Sequence, residues 1–186
     1  MHGVDVAVFR WINGWSNNWA PFYDFLSEGN KNLYFQIAAG VLLIAMLVAG
    51  KETRKAALLA ICAVVLSNTL TDFLKHSFFV LRPSSPLSGE WAMIVPHGVG
   101  WLDSSGTASA HAANMAAVAT VITYFLRWWG VIPILLAFFT GIARIYVGVH
   151  YPSQVLLGWM CGIAMGGLVV LSYRLWMQRR IVNGES

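Results

Sequence analysis

The chain has 186 residues, of which 58% are hydrophobic and only 11% charged, with a formal net charge of +4. That length suits one domain spanning residues 1–186, and that composition lies far outside the range of soluble globular domains. The modest net charge gives no reason to expect a nucleic-acid partner.

Trp11, Trp15 and Trp19 in the opening 1–30 segment are spaced i, i+4, i+8, on one face of a helix. With Val4, Val8 and Phe22 nearby, that face predicts an amphipathic helix lying on the membrane surface. A helix packed on the rest of the protein is the alternative. The segment carries Asp5, Arg10, Asp24 and Glu28 and has no apolar run before a cleavage site, so no removable signal peptide is expected.

The rest reads as an all-α polytopic membrane protein with five spans in one bundle, at about 33–50, 56–75, 108–126, 130–147 and 153–176. Leu33 to Gly50 carries no charge, and a bilayer core about 30 Å thick needs roughly 20 apolar residues in a helix. Asn68, Thr69 and Thr71 make the second span polar near its end; Ser109, His111 and Asn114 do so at the start of the third. Between these spans, the 76–107 connection contains Pro83, Pro86 and Pro96 and is expected to be a loop roofing the outer helix ends. Its Trp91 and Trp101 suggest that it rests on the membrane surface, and Trp128, Trp129 and Trp176 fall at the ends of apolar runs, where indole rings prefer the headgroups. Gly158, Gly162 and Gly166, with Ala112, Ala113, Ala116 and Ala117, are expected to let helices approach closely. Cys62 and Cys161 sit inside apolar runs and read as core residues with no disulfide or metal role.

Orientation follows from the basic residues. Lys51, Arg54, Lys55, Arg127, Arg174, Arg179 and Arg180 fall on one side of the five-span arrangement, and Arg10, Lys31, Lys75, Arg82 and Arg144 on the other. The positive-inside rule makes the first group cytoplasmic, so the N-terminus and the 76–107 loop face outward.

Lys75, Arg82 and Arg144 converge on that outer side, joined by His111 and His150. A single Lys or Arg at a span end usually snorkels to the headgroups. Together, with only Asp72 and Asp103 close in sequence, these residues leave room for an anion. Phosphate fits, because Arg offers a planar fork, Lys a point charge, and the start of the third span adds free N–H groups at a helix N-terminus. The residue before a proline is biased away from helix, so the turn at Arg82-Pro83 is expected to swing the guanidinium inward.

Three motifs then carry a resemblance. Lys75-(six residues)-Arg82-Pro83 resembles the first motif of the type 2 phosphatidic-acid phosphatase superfamily. Ala108-Ser109-Ala110-His111 is similar to its second, Pro-Ser-Gly-His, and Arg144-(five residues)-His150 followed by Tyr151-Pro152-Ser153-Gln154 to its third, Ser-Arg-(five)-His-(three)-Asp. The superfamily includes lipid phosphate phosphatases, bacterial polyprenyl-pyrophosphate phosphatases, glucose-6-phosphatase and the soluble vanadium haloperoxidases.

The resemblance implies a phosphatase acting on a phosphorylated lipid in the bilayer. His150 would be the nucleophile that forms a phosphohistidine and His111 the general acid. Lys75, Arg82, Arg144, Ser109 and the Ala110 N–H would hold the phosphoryl oxygens, with Gln154 orienting His150. Neither cofactor nor metal is expected, since the sequence shows no carboxylate cluster for Mg²⁺ and no zinc ligand set. Polyprenyl diphosphate, phosphatidylglycerol phosphate, phosphatidate and lipid A phosphate remain open as substrates, as does the oligomeric state. The compact chain resembles bacterial envelope-lipid phosphatases, implying a plasma (inner) membrane location. The departures are Ala108, Ala110 and Ala143 for Pro, Gly and Ser, and Gln154 for Asp; glucose-6-phosphatase-like members resemble this chain in having Gln there. Two other readings stand beside the first. One is a phosphotransferase, or an enzyme acting on soluble phosphate esters, with the same chemistry. The other is an inactive binder of lipid phosphates.

Overall fold

A computed structural model describes residues 3–28, 31–89 and 102–184. Among them the chain is helical and contains no strand. Two short helices, α1 (Gly3–Asn13) and α2 (Ala20–Glu28), precede α3 (Leu33–Ala49), α4 (Lys51–Ser77), α5 (Ala110–Leu126), α6 (Val131–Tyr146) and α7 (Pro152–Val182).

The helix starts follow local chemistry. The Asn32 side chain accepts from the N–H groups of Tyr34 and Phe35 and caps α3. Ser109 caps α5, and Pro152 occupies the first turn of α7, where its missing N–H is harmless. Helix α4 already ends at Ser77, and Arg82-Pro83 opens a turn in the loop beyond, with Ser85 N–H donating to Arg82 O at 3.1 Å.

Three helical stretches are long and apolar enough to cross a bilayer: Lys51–Ser77, Ala110–Tyr146 and Pro152–Val182. A fourth qualifies if the bent pair Asn17–Glu28 and Leu33–Ala49 counts as one span. The five-span expectation exceeds this count because α3, α5 and α6 have 17, 17 and 16 residues. At 1.5 Å per residue they are each about 24–26 Å long, short of a 30 Å hydrocarbon core.

Ala110–Tyr146 is not one straight rod. Arg127 adopts a left-handed φ of 48°, and Gly130 lies so close to Thr123 that an added Cβ would stand 2.2 Å from its Oγ1. The chain reverses there, and Ala112 of α5 joins Ala143 and Tyr146 of α6 in one buried cluster.

Helix α5 is the centre of the bundle, packed by α4, α6 and α7. Its Ala112, Ala113, Ala116 and Ala117 are buried, and Gly158 and Gly162 of α7 lie directly on their backbone. The small residues therefore act in packing, as expected. Large apolar side chains point outward instead, among them Leu42, Ile44, Ile61, Val65, Leu135, Phe138, Ile163 and Leu171. Cys161 is buried, but Cys62 is exposed on this outer surface rather than in the core, because its face of α4 meets no other helix.

The N-terminal expectation needs a correction. The three tryptophans do not share one helix, because α1 ends at Asn13 and the chain turns through Gly14 to Ser16, whose side chain accepts from Asn18 N–H. Phe9 and Ile12 are buried in the cluster that holds Tyr146 and Tyr151, whereas Trp11 and Trp19 are 66% and 58% exposed. The segment thus packs on the bundle by one face and presents aromatic side chains on another. The Trp91 and Trp101 expectation lies outside the described residues.

Candidate active site

His150 sits in the short link between α6 and α7 and is buried. Its backbone N–H and that of Val149 both donate to the Arg144 carbonyl, at 3.0 and 3.1 Å, which folds the link back onto the end of α6. The imidazole has a fixed partner on each nitrogen. Arg82 Nη1 lies 3.2 Å from Nε2, and Gln154 Oε1 lies 3.0 Å from Nδ1. A guanidinium only donates, so Nε2 accepts and Nδ1 carries the proton, donating it to Gln154. The in-plane lone pair of the ring is therefore on Nε2.

Gln154 is itself held. Its Oε1 also accepts from Tyr151 N–H at 3.2 Å, and its Nε2 donates to the Leu81 carbonyl at 2.9 Å. One amide thus ties the histidine to the loop carrying Arg82.

That loop is zipped to the residues preceding α5. Arg82 Nε donates to Ser104 O at 2.8 Å and Nη2 to Ser105 O at 2.9 Å, while Gly106 N–H donates to Val80 O at 2.8 Å. Ser105 Oγ accepts from Val80 N–H and donates to Phe78 O. Gly106 is required by the close approach: an added Cβ would lie 2.7 Å from Arg82 Cγ and 2.8 Å from Gln154 Oε1. Burial, and then the charge of Arg144, pull the Arg82 guanidinium down to about 10, which leaves it charged at neutral pH. Among the described residues, one N–H on each terminal nitrogen is left without an acceptor.

Arg144 closes the opposite side. Its Nη1 donates to Ser27 Oγ at 2.7 Å and Ser27 O at 3.0 Å, and lies 3.5 Å from Glu28 Oε1. Its Nε is buried with no hydrogen-bond partner among the described residues. A buried donor left open is costly, about 1–3 kcal/mol or more for a charged group, and an anion on that edge would satisfy it.

Lys75, at the end of α4, pairs with Asp72 at 3.1 Å. It lies within electrostatic reach of both His150 and His111, as does Arg144. Ser109 is fully buried at the α5 N-terminus; its hydroxyl faces Ala112 N–H at 3.5 Å and its own N–H donates to Gln154 O at 3.0 Å. The N–H of Ala110 stands at the open end of the helix, where a helix dipole favours anions. All eight expected site residues thus gather at one end of the bundle.

Sequence reasoning missed Ser27, Glu28, Leu81 and the Ser104–Gly106 strip. The acid beside Arg144 is Glu28, rather than Asp72, which holds Lys75, or Asp103, which is exposed. Nothing in residue spacing links position 28 to 144. The run Ser104-Ser105-Gly106-Thr107 was a visible signal of tight backbone before a helix, but its acceptors are carbonyls, which a sequence does not distinguish.

Two curated bacterial or archaeal proteins resemble the chain over most of its length. The lipid A 4'-phosphatase of Bacteroides thetaiotaomicron is 28% identical over 86% of this chain and 72% of its own. The undecaprenyl-diphosphatase of Sulfolobus acidocaldarius is 28% identical over 86% and 74%. Among solved structures, Aquifex aeolicus LpxE matches the fold with a TM-score of 0.72 at 24% identity, covering 91% of this chain and 96% of that one. A PAP2-type phosphatidylglycerolphosphate phosphatase from Bacillus subtilis matches with a TM-score of 0.63 at 18% identity, covering 93% and 88%. The sequence profile of the PAP2 superfamily matches residues 56–178, from the body of α4 to near the end of α7 and across all three motifs, and the chain belongs to that superfamily.

Proposed function

We propose that the chain is a membrane lipid phosphatase that removes a phosphate monoester, or the terminal phosphate of a diphosphate, through a phosphohistidine. The observation that carries this reading is the fixed tautomer of His150, with Nδ1–H on Gln154 and the Nε2 lone pair turned toward Arg82. Relatives named for lipid A and undecaprenyl diphosphate support a lipid substrate.

In the first step Nε2 attacks phosphorus in line, the N–P bond forms and the P–O bond to the lipid breaks. A phosphoryl oxygen replaces Nε2 as the acceptor for Arg82. His111 gives its proton to the departing lipid oxygen, then takes one from water as the water attacks phosphorus and the N–P bond breaks. Inorganic phosphate leaves and His150 is restored. Lys75, Arg82, the open edge of Arg144 and the α5 N-terminus stabilise charge on the equatorial oxygens, in the place a metal ion would otherwise fill. Helices α3 to α7 form five crossings in this reading, the short α3, α5 and α6 being accommodated by local thinning of the bilayer, with the site facing the periplasm or exterior of a bacterial plasma membrane.

Phosphate release by purified protein from a panel of lipid A phosphate, polyprenyl diphosphate, phosphatidylglycerol phosphate and phosphatidate tests the reading. Turnover of at least one is expected, undiminished by excess EDTA and inhibited by vanadate. Activity lost in EDTA and restored by Mg²⁺ overturns the metal-independent mechanism; no release from any of the four overturns the lipid-phosphatase reading.

A further inference from the structure

The N-terminal helices lie outside the matched residues 56–178, yet they touch the site's machinery at three points. Asp5 accepts from Ser153 N–H at 2.9 Å and Ser153 Oγ at 2.6 Å, capping α7 one residue from Gln154. Asn13 Nδ2 donates to Tyr146 O at 2.7 Å, in the turn that leads to His150. Ser27 accepts twice from Arg144 Nη1, at 2.7 Å through its hydroxyl and 3.0 Å through its carbonyl, with the Glu28 carboxylate 3.5 Å away. Ser27 is 1% exposed and Arg144 7%, so water is a poor substitute for these acceptors.

We propose that the α1–α2 segment is a working part of the phosphate site, and that Ser27 is a positioning residue that holds Arg144 by Nη1 so that the Nε–Nη2 edge presents a fork to the phosphoryl group. This rests on Arg144 being a phosphate ligand. The chemistry favours a division of labour across the guanidinium. Nη1 is spent on fixed protein acceptors, whereas Nε is buried and open among the described residues, and a planar group held at one corner has its opposite edge set. An Arg tethered in this way loses less freedom on binding an anion than a free one, so the tether acts through affinity for phosphate. Ser27 touches neither phosphate nor His150; its effect passes entirely through Arg144.

Calorimetric titration of the full-length protein in detergent with inorganic phosphate and with orthovanadate tests this, in a cycle of Ser27→Ala, Arg144→Lys and the double variant. Ser27→Cys, which fills the same volume with a weak acceptor, separates the lost hydrogen bond from lost packing and carries the test if Ser27→Ala does not fold. The expected result is a Kd for both anions raised about tenfold by Ser27→Ala, the scale of one hydrogen bond to a charged group, with Ser27→Cys close behind. In the Arg144→Lys background, where the fork is gone, Ser27→Ala is expected to add nothing, because residues acting through one another are not additive. An unchanged Kd in Ser27→Ala, or the same factor in both backgrounds, overturns the positioning role. An unchanged Kd in Arg144→Lys instead overturns the assignment of Arg144 to phosphate, a separate failure.

Discussion

At position 154 a single amide combines two tasks that a carboxylate does not. Its oxygen accepts from His150 Nδ1 and its nitrogen donates to Leu81 O, so the same side chain sets the tautomer and secures the Arg82 loop. Gln154→Ala is expected to slow phosphoenzyme formation by about two orders of magnitude in rapid-quench measurements, as loss of an orienting partner does in other histidine mechanisms. Burial first, then the charges of Arg82 and Arg144, hold the His150 imidazole well below its usual value of 6.5. In the proposed mechanism the neutral ring is the reactive form, so activity is expected to persist as pH falls below 6.5, with the acidic limb set by His150 lying there. Gln154→Glu places a negative charge on Nδ1–H, favours the imidazolium and moves that limb upward, while turning a carboxylate oxygen toward Leu81 O and loosening the loop. An unmoved limb in the pH–rate profile refutes the coupling. The two histidines separate by leaving group. His150→Ala is expected to abolish turnover of every substrate in a folded protein. His111→Ala is expected to cost about 10²- to 10⁴-fold with alkyl phosphates and less with aryl phosphates, whose leaving groups need no proton. Equal loss on both classes removes the acid role from His111.

Among the elements, α5 and α7 set how far the site residues stand from one another. Their contact works because Gly158, Gly162 and Gly166 bring the α7 backbone against Ser109, Ala113 and Ala117 of α5. A Cβ at Gly162 would lie 2.1 Å from Ala113 O, so the helices must separate to admit it. Gly162→Ala is therefore expected to destabilise the protein by about 1–3 kcal/mol in thermal unfolding in detergent, the scale of overpacking. Gly167 meets nothing within 4 Å, and Gly167→Ala serves as the control, neutral or up to about 1 kcal/mol stabilising from helix propensity. Equal destabilisation by both substitutions argues against the close-packing account. The same contact bears on chemistry, since Ser109 N–H donates to Gln154 O across it.

For the whole molecule, the proposed five crossings put every proposed site residue at one end and Lys51, Arg54, Lys55, Arg127, Arg174, Arg179 and Arg180 at the other. In that basic set Lys55 lies over the Tyr173 ring and pairs with Glu52, and Arg180 lies over Trp176. Such contacts suit an interface with anionic headgroups. Cysteine accessibility in a Cys62→Ala, Cys161→Ala background measures the sidedness. Ser88→Cys is expected to label from outside and Gly184→Cys only from the cytoplasm. Labelling of both from the same side rules out five crossings.

The helical membrane architecture was legible in the sequence because a bilayer demands long apolar helices and makes charges at their ends conspicuous. The eight candidate site residues could be nominated from the sequence, since Lys75, Arg82 and Arg144 at span ends are conspicuous and the motifs that hold them with Ser109, Ala110, His111, His150 and Gln154 carry the family resemblance. The turn at Arg82-Pro83 was also local, fixed by steric conflict between neighbours. What the sequence did not contain is which distant backbone supplies the acceptors. Ser27 on Arg144, Leu81 on Gln154, and Ser104 and Ser105 on Arg82 are joined across 117, 73, 22 and 23 residues. Periodicity likewise placed three tryptophans on one helix, and the chain instead turned at Gly14, because burying Phe9 and Ile12 against Tyr146 and Tyr151 outweighed helical continuity. Side-chain type along the chain determined the apolar helices of the bundle and which residues are candidates for chemistry. Only tertiary packing decided which nitrogen of His150 carries the proton and which edge of Arg144 is held, because both depend on hydrogen-bond partners that only the fold brings near.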